Sequence, residues 1–221
     1  MERHFDEELK ELNKEILRMS LLTQEAIYKS IESLKNRDRV IATEVIASDK
    51  KVDELELVID ERCIDLIARY QPMATDLRFI ATAMKINAEL ERIADLAVDI
   101  SQRVLELVDK PLLKPLIDIP KLSAVAQGMV RDAIDALVRK DVELAKNVVL
   151  SDPDADKLRN SVQEELINDY MARDAKTADR AVPLLLIARH LERICDHATN
   201  IAEDVIYMVE AKVVKHHPEE L

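Results

Sequence analysis

Leu90-Glu91-Arg92-Ile93-Ala94-Asp95 recurs 101 residues further along the chain as Leu191-Glu192-Arg193-Ile194-Cys195-Asp196. A second correspondence, at a shift of 103 residues, places Asp53 on Asp156. Self-similarity at a nearly fixed period indicates an internal duplication. Since a unit of about 100 residues can bury its own core, the sequence predicts two copies of one structural unit.

The composition indicates that both units are helical. The chain of 221 residues has one glycine, Gly128, no tryptophan and 3% aromatic residues. Hairpin turns and phosphate-binding loops need several glycines at fixed offsets, so β-rich folds and nucleotide-binding motifs are disfavoured. We therefore expect an all-α protein of two tandem antiparallel three-helix bundles, the first over residues 1–110 and the second over 121–214.

Capping residues and prolines divide each unit into three helices. The predicted helices cover about 6–36, 38–70, 75–109, 122–139, 141–171 and 177–213. Asp38 and Asp141 are predicted N-caps, and Thr75 or Asp76 is expected to cap the third helix. A linker is predicted at prolines 111, 115 and 120, a kink or break at prolines 153 and 183, and a frayed tail from residue 215 onward.

The charge pattern argues against nucleic acids and against a membrane span. Acidic residues outnumber Lys and Arg by 44 to 32, which gives a net charge of −12, and no basic cluster is present. The longest uncharged stretch, 122–130, is far shorter than the roughly 18–20 residues of a membrane-spanning helix. Because no signal peptide or cysteine framework is recognisable either, we expect a cytoplasmic protein that does not insert into a membrane.

In the middle of each unit, acidic residues occupy the positions that continue two apolar stripes, one on each of two neighbouring helices. A hairpin folded about Pro72 would bring an Asp-x3-Asp pair level with a Glu-x3-Asp pair on the next helix, and a hairpin folded about residue 174 would do the same in the second unit. The acids so placed are Asp49, Asp53, Glu91 and Asp95, with Asp99 one turn further along, and in the second unit Asp152, Asp156, Glu192 and Asp196.

Opposed rows of carboxylates need a positive charge to offset their repulsion, because even one like-charge pair four residues apart costs about 0.2–0.5 kcal/mol. Oxygen-only clusters suit Mg, Ca, Mn or Fe, and we predict metal binding in both units. Two solvated acidic faces, neutralised by Arg92, Arg193 and lysines, are the alternative. His190 and His197 flank the second set as weaker candidates, and the missing Glu-x-x-His motif argues against a ferritin-type oxidase.

The motifs resemble those of the PhoU family of phosphate-uptake regulators. The resemblance rests on the segment Gln71-Pro-Met-Ala-Thr-Asp-Leu-Arg78, on Leu90-Glu-Arg-Ile-Ala-Asp95 and on the stretch from Leu191 to Glu203, and it extends over nearly the whole chain. It implies tandem three-helix bundles, often dimeric, with multinuclear metal clusters on Glu/Asp-x3-Asp motifs. It also implies a negative regulator of the phosphate-starvation response that links the ATPase-bearing phosphate ABC transporter to a sensor histidine kinase.

Carried over by position, the family motif falls on Glu91 and Asp95 and on Glu192 and Asp196. The second site departs from the first, because Asn200, Arg159 and Gln163 stand where the first has Asp99, Glu56 and Asp60. Fewer ions, weaker binding or an empty second site are open alternatives.

The resemblance leaves the ion open among Fe, Mn, Mg, Ca and Zn, and the number of ions is also open. We expect a non-enzymatic adaptor, by implication a homodimer. A metal-dependent phosphohydrolase and a purely structural helical module remain the alternative functions.

Overall fold

Seven α-helices and no β-strand make up the part of the chain that the structure, a computed structural model, describes: residues 2–214. The predicted fraying of the tail falls outside these residues. The all-α prediction is confirmed. The helices are α1 Glu2–Asn36, α2 Arg39–Ser48, α3 Lys50–Tyr70, α4 Ala74–Leu107, α5 Asp118–Arg139, α6 Val142–Glu165 and α7 Ala178–Glu210.

The two repeats are built alike. Helices α1 to α4 form the first, in which α2 and α3 together take the place of one long helix, and α5 to α7 form the second. The predicted N-caps are confirmed: the Asp38 side chain accepts hydrogen bonds from the backbone N–H groups of Val40 and Ile41, and Asp141 accepts one from Leu144. Each cap satisfies backbone donors that a helix start would otherwise leave without partners.

Several boundaries differ from the sequence prediction. The second helix is interrupted at Asp49, where the N–H of Val52 bonds the Asp49 carbonyl three residues back. The helix α4 starts after Met73, with no side-chain cap from Thr75 or Asp76. Pro120 lies in the first turn of α5, where a missing N–H is harmless, so it does not belong to the linker.

Both prolines of the second repeat lie inside continuous helices. Helix α6 runs through Pro153, and α7 runs through Pro183, so the expectation of a break at these positions is wrong. The departure from regular α-helix comes later: α6 continues as a π-helical turn, Leu166–Met171, and a 3-10 turn, Ala175–Thr177, leads into α7.

Helices α4 and α7 pack against each other and join the repeats through one continuous apolar core. Three of their polar contacts pair Lys85 with Asp204, Glu89 with Asn200 and Asp99 with His190. In each pair, the α4 residue is as many positions from Ala94 as the α7 residue is from Cys195, in the opposite direction along the chain. Ala94 and Cys195 are equivalent in the two repeats, and both are buried. The α4–α7 contact is therefore pseudo-twofold symmetric. No helix within residues 2–214 has the length and apolarity that crossing a bilayer requires.

Candidate functional site

The surface between α2–α3 and α4 carries a row of carboxylates, which we call the first groove: Asp49, Asp53, Glu56, Glu91, Asp95 and Asp99. Asp49 lies at the junction of α2 and α3, and Glu91, Asp95 and Asp99 follow one another at four-residue spacing on α4, which keeps them on one face. Asp53 and Asp95 are exposed, whereas Asp49, Glu56, Glu91 and Asp99 are half-buried. The groove is thus open to water along one side.

The carboxylates of the first groove act on one another across the helices. Burial, followed by the charges of Asp53 and Asp95, raises the pKa of Asp49 to about 6. Burial together with the charge of Asp95 raises the pKa of Glu91, and burial together with the charge of Asp53 raises that of Asp95. These couplings join α2–α3 to α4, so the structure brings the predicted rows face to face.

No basic side chain of the described residues pairs directly with the four acids that face one another in the first groove. Among residues 2–214, no Lys or Arg forms an ion pair with Asp49, Asp53, Glu91 or Asp95. The charge of Arg92 lowers the pKa of Glu91 in part, but the guanidinium contacts Glu89, at 3.4 Å from Nη1, and not the acids of the groove. In the same residues, no three His, Cys, Asp or Glu side chains converge closely enough to hold an ion as they stand.

The donor set of the first groove nevertheless fits a hard cation. Its members are all carboxylates, the ligands that Mg, Ca and Mn prefer, and the backbone already sets them in register. Anions that repel one another turn apart when nothing positive lies between them, and half-exposed side chains have the rotamer freedom to turn back.

The second groove, between α6 and α7, has the same plan but contains its own cation. Asp152, Asp156, Glu192 and Asp196 are coupled there, and burial with the charge of Glu192 raises the pKa of Asp196 to about 6. Arg159 reaches into this row: its Nη2 lies 3.2 Å from Glu192 Oε1 and 3.8 Å from Asp156 Oδ1. The second groove is therefore less anionic than the first.

Four of the candidate residues take part in the α4–α7 contact: Asp99, Asn200 and the two weaker candidates His190 and His197. Asn200 donates its Nδ2 to Glu89 Oε2 at 3.2 Å, and Asp99 Oδ2 lies 3.8 Å from His190 Nδ1. His197 Nδ1 donates to Glu89 Oε2 at 2.6 Å. Burial alone would raise the pKa of Glu89, but these hydrogen bonds outweigh it and hold the pKa below its usual range.

The eight acids predicted to lie in two facing rows form two sets of four whose charges act on one another, and Asp99 acts on Asp95. Glu56, a residue of the first site that Arg159 replaces in the second, also lies in the first groove, since its charge acts on Glu91. Glu89 was missed. Its partners are on a helix more than 100 residues away, and no local spacing reveals such a contact.

Comparison with known proteins gives matches over nearly the whole chain. A family sequence model described as the PhoU domain matches residues 16–104 and again 119–205. A relative from Aquifex aeolicus, named phosphate-specific transport system accessory protein PhoU homolog, is 41% identical over 95% of this chain and 94% of its own length. PhoU homolog 2 of Thermotoga maritima is 34% identical over 100% of this chain and 94% of its own.

Solved structures match the fold equally well. The crystal structure of PhoU from Pseudomonas aeruginosa superposes with a TM-score of 0.91 at 33% identity, covering 94% of this chain and 100% of that one. The phosphate transport system regulatory protein PhoU from Streptococcus pneumoniae gives 0.88 at 26% identity, covering 95% and 99%.

Proposed function

This chain belongs to the PhoU family, and we propose that it is a regulatory accessory protein of a phosphate transport system that represses phosphate uptake and the phosphate-starvation response. The observation that carries the proposal is the similarity, along almost the full chain, to relatives named phosphate-specific transport system accessory protein PhoU homolog. The role is that of a cytoplasmic, non-enzymatic adaptor. Its partners are the ATPase subunit of the phosphate ABC transporter and a sensor histidine kinase, which it meets as a homodimer.

Metal binding in the first groove is the second part of the proposal. Asp49, Asp53, Glu91, Asp95 and Asp99 would hold one or more ions, and the absence of an ion pair between these acids and any Lys or Arg of the described residues supports this assignment. A bound cation would screen the row of like charges and tie α3 to α4. Asp152, Asp156, Glu192, Asp196 and Asn200 would form a weaker site, because Arg159 already neutralises part of that row.

Titration of the metal-stripped, full-length protein tests this assignment. Unfolding temperatures are measured with Mn²⁺, Fe²⁺, Mg²⁺, Ca²⁺ or Zn²⁺ for wild type, for Glu91→Gln/Asp95→Asn, and for Glu61→Gln/Asp65→Asn. The last variant removes two acids at the same spacing from α3, outside the groove. We expect at least one ion to raise the unfolding temperature of wild type and control but not of the groove variant, since a ligand that binds only the folded state stabilises it. Equal responses in all three proteins would refute the assignment.

The regulatory role has a separate test in cells. Affinity capture from phosphate-rich and phosphate-starved cultures compares wild type with Glu91→Ala/Asp95→Ala, and Glu61→Ala/Asp65→Ala serves as control. We expect the transporter ATPase subunit and the kinase to be captured by wild type and control, and less by the groove variant. Capture of neither partner by wild type would overturn the adaptor role, and undiminished capture by the groove variant would favour a purely structural module.

An assay of phosphate-ester hydrolysis, with and without added metal, distinguishes the adaptor from a metal-dependent phosphohydrolase. We expect no turnover above that of the Glu91→Gln/Asp95→Asn variant. Metal-dependent turnover that this variant lacks would assign an enzymatic function instead.

A further inference from the structure

A cleft on the second repeat, between α6 and α7, is lined by three arginines. Arg159 comes from α6, and Arg189 and Arg193 lie one turn apart on α7. Gln163, Glu192 and Asp196 complete its polar lining, and its volume is about 520 Å³. We call this site the arginine cleft. Its lining has three guanidinium groups and two carboxylates, and Asp156 lies 3.8 Å from Arg159 at its edge, on a protein whose overall charge is −12.

The arginines of the cleft have donors to spare. Arg159 donates its Nη2 to Glu192 at 3.2 Å and its Nη1 to Asn160 at 2.6 Å, yet its Nε is buried and has no hydrogen-bond partner among the described residues. Arg189 and Arg193 are exposed, and within residues 2–214 neither forms a hydrogen bond or an ion pair. Two like charges four residues apart on a helix disfavour each other unless an anion lies between them.

The arginine cleft is a property of the second repeat alone. At the equivalent positions the first repeat has Glu56, Ala88 and Arg92, so only one of the three arginines has a counterpart. Position 56 of the first repeat is acidic and position 159 of the second is basic. The two copies of the groove thus differ in charge: the first is a row of acids, and the second is mixed, with an open basic end.

We propose that the arginine cleft binds an oxyanion of the phosphate class, either inorganic phosphate or the phosphoryl group of a small phosphate ester. Guanidinium groups present planar pairs of N–H donors that match two oxygens of a phosphate, and several arginines can surround one tetrahedral anion. Arg189 and Arg193 supply the free donors, and Arg159, fixed by Glu192, supplies a third group from the opposite helix. The volume admits a phosphate together with its hydration or an ester substituent.

This site lies on the other repeat from the metal site proposed in the first groove, and it shares Glu192 and Asp196 with the weaker metal site proposed in the second groove. It uses guanidinium groups rather than a metal ion to hold the anion, so it should bind in the presence of a chelator. The two proposals therefore fail independently: a protein that binds no metal can still bind phosphate here, and the converse also holds.

The test is isothermal titration of the metal-stripped, full-length protein in chelator and 150 mM chloride, with inorganic phosphate in one arm and glycerol phosphate in the other. Four proteins are compared: wild type, Arg189→Ala, Arg193→Ala and Arg92→Ala. The last variant removes the equivalent arginine from the first repeat. Circular dichroism and urea unfolding of each variant verify that the fold is retained, which is expected because Arg189 and Arg193 are exposed.

Wild type and Arg92→Ala should both bind at least one of the two ligands. The dissociation constants of these two proteins for that ligand should agree within about twofold. Arg189→Ala and Arg193→Ala should each weaken binding by about tenfold or more, the effect of removing a charged hydrogen-bond donor. The arm with the tighter binding identifies the free or the esterified form. No binding in either arm, or binding that the two α7 variants leave unchanged, overturns the proposal.

Discussion

Replacing Asp49 with asparagine should stabilise the metal-free protein, because Asp49 is a half-buried carboxylate with acidic neighbours and no cation. Its folded-state pKa of about 6 lies about two units above the ordinary 3.8. Each unit corresponds to about 1.4 kcal/mol, so the unscreened cost of charging Asp49 is about 3 kcal/mol. Solvent screening at this open groove reduces the gain expected from Asp49→Asn to about 1–2 kcal/mol at pH 7.

The stabilisation expected from Asp49→Asn depends on pH. An acid whose pKa is raised by folding binds its proton more tightly in the folded state, so its penalty appears as the pH rises from about 4 to about 6 and is complete above that range. The stabilisation by Asp49→Asn should therefore be full at pH 7 and nearly absent at pH 4. No capping bond is lost, since the Asp49 side chain makes none to α3.

Urea unfolding followed by circular dichroism, in chelator at pH 4 and pH 7, measures the difference. Asp65→Asn is the control: it removes the same charge from α3, but its carboxylate pairs with Arg69 at 2.6 Å, so no stabilisation is expected. With saturating Mn²⁺ the order should reverse, because wild type gains about 2.7 kcal/mol at one hundred times the dissociation constant and Asp49→Asn loses a ligand. An Asp49→Asn variant that is less stable than wild type in chelator at pH 7 would refute the reasoning.

Three further predictions concern other parts of the molecule. Glu89→Gln should destabilise the protein by about 1–3 kcal/mol in urea unfolding, because the charged acceptor of His197 is lost at the buried α4–α7 contact; an unchanged midpoint would contradict this. Arg159→Glu, which restores the acid of the first repeat, should strengthen Mn²⁺ binding by the second groove in equilibrium dialysis, and unaltered stoichiometry and affinity would count against it. Asp38→Ala and Asp141→Ala should each cost about 1 kcal/mol, as N-cap losses do, and should be equal within error in thermal unfolding.

The repeats, the helices and the facing of the acidic rows could be predicted because each rests on local pattern. Helical spacing sets which residues are buried, and Leu90, Ile93, Ala97 and Ile100 are all fully buried as their spacing indicates. The Asp38 and Asp141 caps follow from side-chain chemistry next to the helix start. When two helices fold back on each other as a hairpin, the position of the turn determines which acids lie opposite each other.

What the sequence could not indicate depends on contacts between distant segments or on small differences in backbone energy. The Glu89–His197 hydrogen bond needs the relative placement of two helices 108 residues apart in the chain. Pro153 was expected to kink or break α6, but the helix continues through it without a break, and an interruption occurs at Asp49 in the first repeat. Proline removes a single N–H donor, and packing on both sides can maintain a helix across that gap.

The charges at the pseudo-twofold contact between α4 and α7 determine which repeats can pair through it. If two identical first repeats met through this face, the same geometry would set Glu89 against Asp99 and Lys85 against Arg103, like charge facing like charge. In the intact chain a neutral amide faces Glu89 instead.

The native arrangement also gives Lys85 an opposite charge, Asp204, at 2.7 Å. The contact is thus symmetric in geometry and heterotypic in charge, which disfavours the pairing of first repeats with themselves. Fragments obtained by cutting the chain between Pro111 and Pro115 should on this ground recombine as one first half with one second half.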